Sequence, residues 1–169
     1  SDKVSEKTRK KVMDIMKETG YTPNAFARGL TFNTMKTIGL LCADCSDHFL
    51  ATAISYLEKG FRANGYDCIL CCTGYELATR QNYLKLILSK KVDAVVLVGS
   101  TFIEESPEAN QYLIDCSQEV PVFSVNGYLD SPNIYCTLCN DTEAIYQVTT
   151  KLIEQHFTKS LFIYRSASY

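Results

Sequence analysis

Apolar side chains recur along this chain at two different periods. Between residues 4 and 19, Val4, Val12, Ile15 and Met16 fall at helical spacing, which predicts a helix that buries one apolar stripe and leaves its lysines outside. Gly20 follows where a helix-ending left-handed residue belongs. From residue 37 onward, short continuous apolar runs alternate with longer amphipathic stretches. The runs at 37–43, 67–72, 93–98, 122–125, 134–138 and 161–164 read as strands, and the stretches at 49–63, 77–89, near 107–117 and at 142–155 read as helices. Such alternation predicts an α/β fold of right-handed βαβ units around a parallel sheet. The wholly apolar run at 94–98 calls for a sheet covered on both faces. Ligands of open α/β sheets bind outside the carboxyl ends of the strands. Those ends are residues 44–49, 73–74, 99–101, 126–127 and 140–141.

Residues 20–30 break the pattern. Thr22 is a good N-cap, and Pro23 suits the first helical position because its missing N–H would be unpaired there. The helix predicted at 23–30 is shorter than the roughly 12–15 residues that hold a helix alone in water. Gly29 weakens it by about 1 kcal/mol relative to alanine. Its ordering is therefore expected to wait on a partner. Thr31 to Lys36 read as a polar linker.

Composition is that of an ordinary globular chain: 46% hydrophobic, 21% charged and no tryptophan in 169 residues. The longest apolar runs are strand-sized, so neither a membrane span nor a signal peptide is expected. The net charge of −2 hides an asymmetry. Residues 1–36 hold eight bases against four acids, and the remainder holds nine against fifteen. A basic arm on an acidic body suits a polyanion at one end and a different task at the other.

Eight cysteines fall as Cys42/Cys45, Cys68/Cys71/Cys72, Cys116 and Cys136/Cys139, so C-x-x-C occurs three times. A zinc knuckle needs that spacing on a turn that aims both sulfurs inward. Most of these cysteines lie in strand-like runs, where residues three apart point to opposite faces. They are expected to be small buried apolar filler, kept reduced in a cytoplasm, with no metal and no cofactor.

Several motifs carry a family resemblance. Ser5-Glu6-Lys7-Thr8-Arg9, Gly20-Tyr21-Thr22-Pro23-Asn24-Ala25, Ala27-Arg28-Gly29-Leu30 and Thr37-Ile38-Gly39-Leu40-Leu41 closely resemble the lactose-repressor/galactose-repressor family of bacterial transcription regulators. The likeness continues through Asp44 to Phe49, Lys91 to Val98, Val120 to Phe123 and the run at 161–164. It implies the periplasmic-binding-protein-like type I fold, preceded by a helical headpiece remnant. Residues 1–22 would end a helix-turn-helix headpiece and 23–36 would be hinge helix and linker. Residues 37–139 would form the first lobe of an effector-binding core, and 140–169 would begin an incomplete second lobe.

The same resemblance assigns roles. Leu30 matches the leucine that wedges between base steps from the minor groove, and Ala27 must be small to pack there. Arg28, Asn24, Tyr21 and Thr22 would contact phosphates or groove edges. Asp47 and Phe49 match a loop that offers a polar group and an aromatic ring to the effector. Ser100, Asn126 and Asp141, at other strand ends, could bond its hydroxyls, although Asp141 suits the N-cap of the helix after it equally well. The implied partners are operator DNA, a small-molecule effector such as a sugar, and a second copy of the chain, with no membrane role. Ile54, Leu57 and Phe61 are candidates for lobe packing or dimer contact.

Two other classes were weighed. A solute-binding module of this architecture predicts an export signal and no basic arm. A flavodoxin-like enzyme needs a phosphate loop after the first strand, where the acidic 44–47 segment would repel phosphate. No catalytic constellation stands out. His48 and His156 are far apart in sequence, and Glu104 and Glu105 are expected to be solvated.

Overall fold

Five strands, all parallel, lie in the order β2-β1-β3-β4-β5, with β1 at Thr37–Cys42, β2 at Asp67–Cys72, β3 at Ala94–Val98, β4 at Val122–Val125 and β5 at Ile134–Thr137. The computed structural model describes residues 4–21, 34–157 and 159. The predicted hinge helix at 23–30 and the strand at 161–164 lie outside the described residues. The chain divides into two units, one up to Met35 and one from Lys36.

In the first unit, helix α1 spans Glu6–Thr19. Ser5 caps it by accepting the Thr8 N–H, and Gly20 ends it at φ 64°, its N–H donating to the Met16 carbonyl. The apolar stripe is open, with Val12 50% and Ile15 48% exposed. The expected burial is corrected here: among the described residues of this unit no second helix is present to cover that stripe.

The second unit buries both faces of its central strands. On one face Ile38, Leu40, Cys42, Ala94, Val96 and Val98 pack under α2, which spans His48–Ala63. On the other, Leu41, Val95, Leu97 and Val122 pack with Leu84 and Ile87 of α3 (Leu77–Ser89) and Leu113 and Cys116 of α4 (Gln111–Glu119). The period-2 alternation of each strand sends successive residues to opposite layers, so a strand buried on both sides must be apolar throughout. Ile54, Leu57 and Phe61 pack on this core. They are partly buried there, on the side of α2 that faces the sheet.

Local chemistry explains the remaining boundary differences. β3 begins at Ala94, because the Asp93 carboxylate accepts the Thr37 N–H at 2.9 Å and so joins the starts of β1 and β3. The segment after β3 forms 3-10 turns at Ser100–Phe102 and Glu108–Asn110 before α4 starts. Helix α5 spans Asp141–Glu154, and its cap is Asn140, which accepts the Glu143 N–H at 3.2 Å. Asp141 is thus the first helical residue, where its charge favours the helix dipole. Over β4 and β5, Phe123 and Tyr135 stack at 5.1 Å between ring centroids, and both stay exposed.

Gly39 marks a close approach of a helix to the sheet: a Cβ there would stand 2.5 Å from Cγ2 of buried Ile87. A methyl at this point must push a β-branched core side chain off its rotamer. Gly39→Ala is expected to cost about 1–3 kcal/mol of stability in urea titration, and Ile87→Val on top of it should recover part of that loss.

Candidate functional site

The strand order reverses between β1 and β3. From β1 the chain crosses to β2 through α2 on one face, and from β3 it crosses to β4 through α4 on the other. The two connections leave in opposite directions and open a crevice at the carboxyl edge, where ligands of such sheets bind.

The loop after β1 forms one wall. The Asp44 carboxylate accepts both the Ser46 N–H at 2.8 Å and the Ser46 hydroxyl at 2.7 Å, which folds the loop into an Asx turn. Asp47 caps α2, its Oδ1 accepting the Leu50 N–H at 3.0 Å. Its second oxygen remains for other work. Phe49 is 58% exposed at the first turn of that helix. Leu50 turns inward instead, and its Cδ2 stands 3.2 Å from where a Gly99 Cβ would be. Gly99 has φ 113°, so glycine is needed both for backbone and for space.

The opposite wall comes from β3 and β4. Ser100 is exposed and opens the first 3-10 turn. Asn126 has φ 67°, a left-handed conformation that asparagine tolerates, and its N–H donates to the Thr137 carbonyl at 2.8 Å. A Cβ on Gly127 would meet Ser124 Oγ at 2.8 Å and approach the Ser100 Cα at 3.8 Å, so the ends of β3 and β4 are pressed together. Ser124 Oγ is buried without a hydrogen-bond partner among the described residues. Asp47, Phe49, Ser100 and Asn126 therefore share one edge. Asp141 follows β5, the outermost strand, and is exposed at the same edge of the sheet.

Beneath the β3 loop lies a polar support that residue patterns do not reveal. Arg80, 5% exposed on α3, donates to the Thr101 carbonyl and to the Glu104 carboxylate. The expectation that Glu104 is solvated is corrected accordingly: a buried guanidinium requires a carboxylate partner. The Asn110 side chain accepts the Glu104 N–H and donates to the Glu104 carbonyl, both at 2.8 Å. Tyr112 donates its hydroxyl to the Phe102 carbonyl at 2.8 Å, and burial pushes its phenol up to about 12. Residues 101–104 are thus held from below by α3 and α4. The available signal was the helical spacing that puts Arg80 on one stripe with Leu77, Leu84 and Ile87.

The cysteine expectations need correction. Cys45 and Cys72 form a disulfide, with Cα atoms 6.1 Å apart. Cys45 sits in the turn after β1, not in a strand, so the opposite-face argument fails for Cys42 and Cys45, whose sulfurs are 3.3 Å apart. Register supplied the clue, since Cys42 pairs with Cys72 across the β1–β2 ladder. Cys42, Cys71 and Cys116 are buried as expected, whereas Cys68 and Cys136 are half-buried and Cys139 is exposed. Burial raises the Cys42 thiol, and the Asp44 charge adds to that shift.

Of the nucleic-acid candidates, Tyr21 is 61% exposed just after α1, its N–H donating to the Met16 carbonyl. Thr22, Asn24, Ala27, Arg28 and Leu30 lie outside the described residues. Residues 1–24 match the family described as bacterial regulatory proteins, lacI family. Residues 35–169 match that described as periplasmic binding proteins and sugar binding domain of LacI family. The chain belongs to the LacI family. An HTH-type transcriptional regulator of Lachnoclostridium phytofermentans is 58% identical over 166 residues, which cover 98% of this chain and 50% of that protein. The HTH-type transcriptional repressor PurR of Vibrio vulnificus is 31% identical over 92% of this chain and 46% of its own length. The chain thus spans about half the length of the curated relatives it matches.

Solved structures share the fold. The Lac repressor bound to ONPG superposes with a TM-score of 0.73 at 16% identity, over 90% of this chain and 45% of that one. A LacI family regulator from Lactobacillus casei with bound sucrose gives 0.58 at 21%, over 71% and 42%. Both carry the parallel sheet whose carboxyl edge is described above.

Arg80→Ala leaves Glu104 without its cation and is expected to cost about 2–3 kcal/mol in chemical denaturation, since Glu104 is partly solvated. Glu104→Gln keeps an acceptor but leaves the buried Arg80 cation without its counter-charge, and should cost about 3 kcal/mol or more in the same measurement.

Proposed function

We propose that these residues belong to a transcription regulator that binds operator DNA and is controlled by a small molecule, such as a sugar, held at the carboxyl edge of this sheet. One observation carries the reading: a single chain matches a bacterial regulatory headpiece over residues 1–24 and a sugar-binding core over residues 35–169. The charge division supports it, because the basic arm coincides with the first segment and the acidic body with the second.

In this reading Leu30 inserts into the minor groove and kinks the duplex, and Arg28, Asn24, Thr22 and Tyr21 hold the backbone around it. Two copies of the chain pair their hinges over a pseudo-palindromic site, since protein two-fold symmetry is mirrored in the operator. Phe49 stacks on an apolar ligand face while Asp47, Ser100, Asn126 and Asp141 bond its hydroxyls. The effector favours one arrangement of the two lobes, and that arrangement sets how readily the hinges form helix, which is coupling between distant sites. The regulator works in the cytoplasm, and no catalytic step is assigned to it.

The test uses the full-length protein. Leu30→Ala is expected to weaken operator binding about tenfold or more, equivalent to about 1.4 kcal/mol, with the salt dependence of affinity retained. Unchanged affinity would overturn the wedge. A thermal-shift screen with sugars, sugar phosphates and nucleobases should give at least one ligand that raises Tm by several degrees, because a ligand at about a hundred times its Kd contributes about 2.7 kcal/mol. Phe49→Ala should reduce that shift. A flat response to every compound would remove the effector reading.

A further inference from the structure

Three sulfurs gather at the carboxyl edge of β1 and β2, beside the crevice loop. Cys42 ends β1, Cys45 lies three residues on in the turn, and Cys72 ends β2, with all three sulfur atoms within 4.8 Å of one another. They differ in access. Cys42 is fully buried, Cys45 half-buried and Cys72 exposed. We propose that Cys45 and Cys72 are a reversible thiol–disulfide couple that fastens the 43–49 loop to the end of β2 when oxidised and releases it when reduced.

The argument begins with what the bond joins. Cys45 stands between Asp44, which folds the turn, and Asp47, which caps α2 and sets the position of Phe49. The backbone already extends the β1–β2 ladder past the strand ends, with Thr73 N–H donating to the Cys42 carbonyl at 2.8 Å and Gly74 N–H to the Ala43 carbonyl at 2.9 Å. Those bonds persist without the disulfide, so reduction leaves the sheet intact and frees the loop beyond Ala43. Cys72 is the exposed member of the pair, so its sulfur is taken as the point of attack. Exposed disulfides are the ones that exchange readily with solution thiols.

The chemistry balances with two reagents of ordinary classes. A thiolate of a dithiol reductant attacks the Cys72 sulfur, the S–S bond breaks, and Cys45 leaves as a thiolate that takes a proton. The second sulfur of the dithiol then displaces Cys72, and the reductant ends as its own disulfide, having given two electrons. Hydrogen peroxide reverses the change: it oxidises the Cys72 thiol to a sulfenic acid with release of one water, and the Cys45 sulfur displaces a second water to re-form the bond. Cys42 takes no part. It is out of solvent and held as a thiol by burial and by Asp44, although its sulfur lies 3.3 Å from that of Cys45. A single thiophilic cation is the competing occupant, and it would need Cys42 as its third ligand.

The consequence for ligand binding rests on the effector reading, whereas the test does not require it. The full-length protein is treated with dithiothreitol or with hydrogen peroxide, and its free thiols are alkylated and mapped by mass spectrometry. Cys45 and Cys72 should be alkylated after reduction and cross-linked after peroxide, in the wild type and in Cys42→Ala alike. Deuterium uptake across 43–49 should be about twofold or more faster in the reduced form, with the β1 and β3 amides unchanged. Equal uptake in the two states, or alkylation of both cysteines after peroxide, overturns the proposal. So does one equivalent of zinc that is retained by the purified wild type and lost in Cys42→Ala. Neither readout involves operator or effector, so failure here and failure of the regulatory reading can be told apart.

Discussion

Burial of β1 and β3 on both faces is the constraint from which the rest of the core unit follows. Neither strand can present a polar residue to either layer, so each must find a helix on each side. The chain meets this demand with α2 over Ile38, Leu40 and Cys42 and with α3 and α4 over Leu41, Val95 and Leu97. At Gly39 the fit leaves no room for a side chain, because the β-branched Ile87 occupies the space it would take. The outer strands are under less pressure. Phe123 and Tyr135 remain open to solvent on β4 and β5, stacked on one another.

That two-sided covering also creates the candidate site. Because the crossover from β1 goes to one face and that from β3 to the other, their carboxyl ends are left with loops that diverge. Backbone groups at a sheet edge need partners, and side chains of the loops provide them: Asp47 for the first turn of α2, Asn110 for the backbone of Glu104, Arg80 for the Thr101 carbonyl. A loop fixed from below can hold Ser100 in place without lending it to its own stability. Asp47 is different, since one of its oxygens already serves as a cap. The LacI family relationship joins this edge to a headpiece segment, which is why a small ligand and a duplex are both proposed as partners.

Much of the fold was legible before any coordinates. The strand runs, the alternation with helices and the parallel sheet all follow from periodicity, and the 67–72 and 122–125 runs and the 77–89 helix have the bounds that the pattern suggests. Gly20 at the end of α1 was likewise readable from local chemistry. Other features depended on what lies across space. Whether Ile54, Leu57 and Phe61 faced the sheet or a partner was undetermined, since an apolar stripe does not say what covers it. Glu104 has the pattern of a loop acid, yet Arg80, 24 residues earlier in the chain, lies beneath it.

The sequence by itself determined the layers: a period-2 run buried on both sides must be apolar, and a helix that covers it needs one apolar face, so local pattern and burial agree. It also determined the helix ends, where a capping side chain and its N–H are only three residues apart. Only the tertiary structure decided the meeting of residues far apart in the chain. Cys45 and Cys72 are separated by 27 residues and are joined because parallel register places Cys42 opposite Cys72. Arg80 and Glu104 meet because α3 lies beneath the loop that follows β3. Such pairings depend on register and on crossover direction, which belong to the assembled sheet and not to any single segment.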